Sequence, residues 1–303
     1  MRGDFYLAGW RVRSSFLIDS FYPWIGDKRS PDVFVRSGPI PQHTGGFLVD
    51  GPLLQISRDR SCRFIAPTGA AFSVNSGGTE VIVDAGDSES ELSSLLPRPM
   101  LAILCHKRRL LPIHASCVQI GDRAIAFAGP SAAGKSVLAA AFMQASFPLL
   151  ADDLIAVDPY ADGGPVVWPT FPQLRLWRDS LDALGFAAGN HRRCRPALDK
   201  YEVPFAPNSL IRPLRLAAIY HLRCDRMAES ASIQPLRGSR GLQAAAGVIC
   251  CGDSAGMLAG EDASLQCIAA LGAATPAYTL GYRPGFEVLP ATIAALHARH
   301  GES

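Results

Sequence analysis

Two hydrophobic rhythms divide this chain. Up to about residue 95 the apolar positions come in short runs rich in β-branched and aromatic residues, at 11–18, 32–35, 46–49, 53–56, 62–65 and 79–83. Clusters such as Ser37-Gly38-Pro39 and Asn75-Ser76-Gly77-Gly78 separate them, the punctuation that a meander or sandwich requires. The front of the chain therefore reads as a β-rich module. It carries no reactive constellation, so a structural or substrate-docking role is expected of it. Around Asp87-Ser88-Glu89-Ser90-Glu91-Leu92, serines and carboxylates precede Leu95, Leu96, Leu101 and Leu104, which predicts a capped helix interrupted by Pro97 and Pro99. The domain boundary is expected there, giving 1–97 and 98–303.

From residue 113 the rhythm changes to strand, turn, strand, loop, helix. Residues 113–120 and 124–128 read as strands about a turn at Gly121-Asp122, and 137–143 is rich in strong helix formers. The next buried strand, 147–151, ends in Asp152-Asp153. Further strands are predicted at 166–168, 173–177 and 214–222, with a helix running through Leu184 and two alanine-rich closing segments, the last near 291–297. The polar, basic stretch Gly189-Asn190-His191-Arg192-Arg193-Cys194-Arg195 lies between them, and 189–200 reads as a loop able to close over a site.

Composition narrows the classes without naming an activity. With 303 residues there is ample chain for two cores, and 48% hydrophobic against 18% charged residues excludes a disordered chain. The 29 basic and 27 acidic residues leave a net charge of +2 with no block of like charge, which argues against a nucleic-acid binder acting through a broad basic field. No run of apolar residues is long enough to span a membrane, and the start lacks the order of a secretory signal, so a cytoplasmic protein is expected. The eight cysteines form no Cys-x-x-Cys pair and read as reduced, mostly buried thiols.

The informative segment is Gly129-Pro130-Ser131-Ala132-Ala133-Gly134-Lys135-Ser136, a full match to G-x-x-x-x-G-K-[ST] with a strand before it and a helix after it. Backbone N–H groups of such a loop converge on phosphate oxygens, and the helix dipole adds a favourable field. Lys135 brings a positive charge to the β and γ phosphates, and the Ser136 hydroxyl can ligate Mg²⁺. Asp152 and Asp153 lie 17 and 18 residues after Lys135, at a strand end, where a doubly wound sheet presents ligand groups. Adjacent strand residues point in opposite directions, so one carboxylate can face the metal and the other an acceptor hydroxyl. His114, 21 residues before Lys135, is either a core histidine or a group that reaches one of these aspartates. Arg175, Arg192, Arg193, Arg195 and Lys200 are candidate cations for a phosphoryl group, with solvated loop positions as the alternative.

Together the strand bearing His114, this loop, and Leu149-Leu150-Ala151-Asp152-Asp153 resemble the catalytic domain of HPr kinase/phosphorylase, a P-loop fold related to phosphoenolpyruvate carboxykinase. Leu111-Pro112-Ile113-His114-Ala115-Ser116, Phe127-Ala128-Gly129-Pro130-Ser131 and the stretch from Trp168-Pro169 to Leu174-Arg175-Leu176-Trp177 are similar to the stand-alone HPr kinase-like proteins of lasso-peptide biosynthesis, which phosphorylate the C-terminal serine of a precursor peptide. The similarity covers about residues 100–303; Ala8-Gly9-Trp10-Arg11-Val12-Arg13-Ser14 resembles the leading segment of those proteins only loosely.

This resemblance implies an α/β fold, an HPr kinase/PEP carboxykinase-like P-loop domain preceded by a small β-rich N-terminal domain. It implies a serine kinase using ATP and Mg²⁺. ATP would be held by Gly129, Pro130, Ser131, Ala132, Ala133, Gly134, Lys135, Ser136 and Val137. Ser136 and Asp153 would share Mg²⁺, Asp152 would take the proton of the acceptor hydroxyl, and His114 would tune Asp152, with the two aspartates open to exchange of roles. The Gly-rich signature that HPr kinases carry after their aspartates, with its metal-associated glutamate, is not present, and Gln173-Leu174-Arg175-Leu176-Trp177 stands in its place. Neither HPr as substrate nor reverse phosphorolysis is therefore expected. The expected partner is a precursor peptide with an acceptor serine, with neither nucleic acid nor membrane, and homo-oligomers remain open. The other readings are a nucleotide-binding regulatory module without transfer and a kinase of a small hydroxylated metabolite.

Overall fold

The computed structural model describes residues 3–42, 45–84, 97–195, 198–206, 211–228 and 230–301. The chain divides into two compact units: Met1–Pro112 with Cys251–Cys267, and Ile113–Cys250 with Ile268–Ser303.

The first unit is built on one sheet. Its strands are β1 (Gly3–Leu7), β2 (Trp10–Ser14), β3 (Tyr22–Pro23), β4 (Val33–Ser37) and β5 (Phe47–Asp50). They are followed by β6 (Leu54–Ser57), β7 (Cys62–Ile65), β8 (Ala71–Val74) and β9 (Glu80–Asp84). Spatially they run β3-β1-β2-β4-β9-β8-β7-β6-β5, so the β-rich front expected from the sequence is one continuous sheet. Helix α1 (Pro97–Lys107) follows. The described helix begins at Pro97, and Pro99 also sits in its first turn, where a missing N–H breaks no intrahelical bond. The predicted capped start at 87–92 lies outside the described residues. Helix α1 buries Met100, Leu101, Ile103 and Leu104 and packs on β8, which ties it to the sheet before it. That packing moves the division from the expected 97 to Pro112, and it also draws in the segment Cys251–Cys267.

Strand β10 (Leu111–Ile113) spans the division, and the second unit then opens with β11 (Ala115–Ile120), β12 (Arg123–Ala128), α2 (Lys135–Gln144) and β13 (Leu149–Ala151). It continues with β14 (Ile155–Asp158), β15 (Val166–Trp168), β16 (Gln173–Trp177), α3 (Arg178–Ala183), β17 (Arg192–Arg195) and β18 (Leu198–Pro204). Strands β19 (Leu214–Cys224) and β20 (Ser232–Leu236), helix α4 (Ser239–Ala246), strand β21 (Ala277–Tyr282) and helix α7 (Leu289–His300) complete it. Helix α5 (Gly252–Ala259) belongs to the first unit, and α6 (Glu261–Ala274) spans the division.

The central sheet is mixed rather than doubly wound throughout. Its order includes β14-β15-β19-β12-β11-β13, with β21 beside β19. Strands β12, β19 and β21 run parallel, whereas β11 forms an antiparallel hairpin with β12 and is antiparallel to β13. Strands β16-β18-β17 form a small separate sheet. The stretch 189–200, expected as a closing loop, is largely strand: Arg192 and Arg193 register against Glu202 and Tyr201, and Cys194 alternates inward and is buried.

Helix α2 forms because Leu138-Ala139-Ala140-Ala141-Phe142 combines strong helix formers with buried side chains. It stops where Ser146 turns to φ 67°. The Phe147 N–H then bonds back to Phe142 O at 3.0 Å, and the two rings meet edge to face at 5.1 Å. Phe142 also packs against Phe127 of β12 at 5.5 Å. Burying one such ring contributes about 1.5–3 kcal/mol and fixes where the N-terminus of α2 points. No helix among the described residues is long and apolar enough to cross a membrane.

Candidate active site

The loop between β12 and α2 is shaped by three left-handed residues: Gly129 (φ 136°), Ala132 (φ 62°) and Gly134 (φ 91°). A Cβ on Gly129 would lie 3.1 Å from the Leu222 carbonyl oxygen, and one on Gly134 would lie 2.4 Å from the Tyr282 hydroxyl. That hydroxyl donates to Ala133 O at 2.8 Å and pins the loop to the end of β21. No side chain caps α2. Its first-turn N–H groups, which helix geometry leaves without intrahelical partners, thus join the loop amides as a nest for an anion. Lys135 is buried, and its Nζ donates to Gly129 O and Pro130 O at 3.0 and 2.9 Å. Burial lowers the pKa of Lys135, while the charges of Asp152 and Asp153 pull the other way.

The two aspartates occupy opposite environments. Asp152 is fully buried. Its Oδ1 accepts from Ser116 Oγ at 2.6 Å and from Ser136 Oγ at 2.8 Å, and its Oδ2 accepts from the Arg175 backbone N–H at 2.8 Å. Burial, reinforced by the neighbouring Asp153 charge, pushes its pKa up against these three hydrogen bonds. Asp153 has φ 71° and a side chain 24% exposed. Its Oδ1 is 3.5 Å from His114 Nε2 and its Oδ2 is 3.6 Å from Arg175 Nη1. Arg175 is held in turn by Glu202 at 3.0 Å.

Of the two assignments that the sequence leaves open, this geometry favours the exchanged one. Ser136 meets Asp152 rather than Asp153, and His114 meets Asp153 rather than Asp152. His114 itself lies at the break between β10 and β11, not within a strand, and its backbone N–H bonds Val248 O at 2.8 Å. Arg175 is in the site, whereas Arg192 and Arg193 stand about half exposed on β17, and Arg193 pairs with Asp199. Two residues escaped the sequence reading. Ser116 lies on β11 opposite Phe127 with no sequence signal to mark it, and Glu202 became visible only through its register opposite Arg175.

His114, Ser131, Gly134, Lys135, Ser136, Val137, Asp153, Arg175, Trp177 and Lys200 are among the residues lining a cavity of about 660 Å³. It suits a polyanionic ligand: Lys135, Arg175, Arg178 and Lys200 line it together with Ser131, Gly134 and Ser136 of the loop. No cluster of three or more His, Cys, Asp or Glu side chains that could hold a metal occurs among the described residues. Mg²⁺ at a phosphate site needs only one or two carboxylates, the remaining ligands being phosphate and water, so Asp152, Ser136 and Asp153 fit it.

No family model matches the chain, and no curated protein matches it. Among solved structures, the Hpr(Ser) kinase/phosphatase from Coxiella burnetii is similar over 63% of this chain and 99% of its own, at 11% identity and a TM-score of 0.32. A likeness of that size carries no argument about activity.

Proposed function

We propose that the chain is a Mg²⁺-dependent kinase that transfers the γ-phosphoryl group of ATP to a serine hydroxyl, the C-terminal serine of a lasso-peptide-type precursor. One observation carries the reading: beside the phosphate loop stand two carboxylates in different states, Asp152 buried against Ser136 and Asp153 facing the cavity. Nucleotide binding alone needs the first; activating a hydroxyl needs the second.

In this reading the loop amides and Lys135 hold the phosphates, and Asp152 with Ser136 forms the metal side. Mg²⁺ bound there would offset charge on the β and γ phosphates. Asp153, oriented by His114, takes the proton of the acceptor hydroxyl. The acceptor oxygen forms a bond to the γ-phosphorus, the bond from that phosphorus to the β–γ bridging oxygen breaks, and ADP leaves. Arg175 places its charge beside Asp153 and the transferring group. The choice of a peptide serine rests on the resemblance in sequence.

The test is mass spectrometry of a synthetic precursor ending in serine, incubated with ATP and Mg²⁺. Gain of one phosphate that disappears in Lys135→Ala and in Asp153→Asn is the expected result. Binding of ADP with no transfer to peptide, free serine or water would leave the regulatory module as the correct reading.

A further inference from the structure

The small sheet β16-β18-β17 has two faces of opposite character. Side chains alternate across a strand, and Leu174 and Leu176 of β16 join Tyr201 and Val203 of β18 in the core on one face. The positions between them, Arg175, Trp177, Lys200 and Glu202, share the other face. Register sets Arg175 opposite Glu202 and Trp177 opposite Lys200. Arg175, Trp177 and Lys200 all line the phosphate cavity, so this face forms one side of it.

The cations of the cavity differ in how they are engaged. Lys135 is held by the Gly129 and Pro130 carbonyls, Arg175 lies between Asp153 and Glu202, and Arg178 pairs with Asp182 at 2.8 Å. Lys200 has no carboxylate at ion-pair distance among the described residues. Its neighbour Asp199 is taken by Arg193 at 3.0 Å and by the Tyr201 hydroxyl at 2.9 Å. The Lys200 Nζ lies instead over the Trp177 ring, 5.7 Å from its centre. Such a contact holds an exposed ammonium by a factor of only about two to five, whereas a charge-assisted hydrogen bond contributes roughly ten- to a hundredfold. A phosphate entering the cavity therefore replaces the ring as the partner of Lys200.

Which phosphate that is follows from the register. On one face of an antiparallel pair, diagonal neighbours stand about 7–8 Å apart, within reach of long side chains. Lys200 is the diagonal neighbour of Arg175, whose Nη1 is 3.6 Å from the Asp153 carboxylate. Burial foremost, and the Lys200 charge to a smaller extent, lower the pKa of Lys135, so the two lysines act on the same space. In the reading above, the group in transfer stands between Lys135 and Asp153. We propose that Lys200 is a catalytic cation that leaves the Trp177 ring and donates a hydrogen bond to a non-bridging oxygen of the γ-phosphoryl group. This rests on the kinase reading and adds to it a contact made by the terminal phosphate alone, by which the site tells ATP from ADP.

The test separates that phosphate from the rest of the nucleotide. Calorimetry compares Mg-ADP with the Mg²⁺ complex of β,γ-methylene-ATP, an analogue that keeps the γ-phosphate and cannot transfer it. Lys200→Met removes the charge and keeps an apolar stem; it should weaken the analogue about tenfold and leave Mg-ADP within about twofold. Lys200→Arg should restore most of the loss. In the parent the analogue should change tryptophan emission where Mg-ADP does not, and the difference should vanish in Trp177→Phe and in Lys200→Met. In transfer assays Lys200→Met should lower kcat about 10²-fold. Equal affinity of parent and Lys200→Met for the analogue would overturn the proposal. An equal loss for both nucleotides would overturn it as well, because Lys200 would then hold the part that ADP shares. Transfer by the parent with analogue affinity untouched in Lys200→Met sinks this inference alone. Nucleotide binding without any transfer sinks the kinase reading, and the γ-phosphate contact is then still decided by the analogue.

Discussion

Two aspartates, one in each unit, are treated in opposite ways. Asp4 on β1 lies between Arg13 at 2.8 Å and Arg11 at 2.5 Å, and the Arg13 hydrogen bond foremost holds its pKa far below the usual carboxylate range. Asp152 is denied any such partner: two hydroxyls and one backbone N–H are its described contacts, and burial drives its pKa up. The first arrangement fixes a charge where water and arginines already stabilise it. The second leaves a charge under-compensated, so an arriving cation gains most there. Electrostatics serves folding in the first unit and, in the proposed reading, ligand capture in the second.

The largest effects should come from exchanging carboxylates within the site. Asp153→Asn should lower kcat by about 10²–10⁴ while leaving Mg-ADP affinity within a few-fold. Asp152→Asn should instead raise the Mg²⁺ concentration needed for half-maximal activity, measured in the same transfer assay. Identical signatures for the two variants would erase the division of roles between them.

A smaller, structural effect is expected at the loop. Gly134→Ala should destabilise by roughly 1–3 kcal/mol in denaturant titrations, through its left-handed φ and the Tyr282 hydroxyl in its path. Adding Tyr282→Phe should recover part of that loss, since it removes the oxygen but not the strain.

Smallest, but sharpest for the comparison, is pH. A carboxyl with a raised folded pKa contributes stability that is full below its ordinary value near 3.8 and is lost as pH climbs through the folded value. The melting temperature of the parent minus that of Asp152→Asn should therefore decline above about pH 4, by roughly 2–4 °C for each kcal/mol. Asp4 carries the opposite sign: its contribution is present above the ordinary value and fades as pH falls toward its depressed one. Parent minus Asp4→Asn should rise with pH up to about 4 and stay flat beyond, with a smaller amplitude because the pair is partly exposed. Parallel slopes for the two variants would end the contrast.

Much of this was legible in the sequence where one residue type serves one local geometry. The loop could be read because Gly129 and Gly134 are the positions that a Cβ would spoil, and β7 was read with the bounds it has because Cys62–Ile65 is an uninterrupted β-prone run. What escaped depends on tertiary register. Nothing in the spacing tells Asp152 from Asp153, because the difference arises where Ser116 and Ser136 close on one of them and His114 on the other. Glu202 is unremarkable until β18 sets it opposite Arg175, and 189–200 looks like loop until strand pairing satisfies its backbone. Pro97 and Pro99 read as breaks, and the described helix starts on the first of them, where a proline costs no intrahelical bond.

The backbone at Asp153 has a consequence for how this fold can change over time. At φ 71° glycine, asparagine and aspartate fit with least strain, and asparagine differs from aspartate by one side-chain atom and one codon letter. Replacing the carboxylate there would leave the chain path, the loop and the ligand cavity as they are. In the proposed reading, a transferring form and a silent binding form of this domain would thus be adjacent in sequence space, with a backbone already shaped for both.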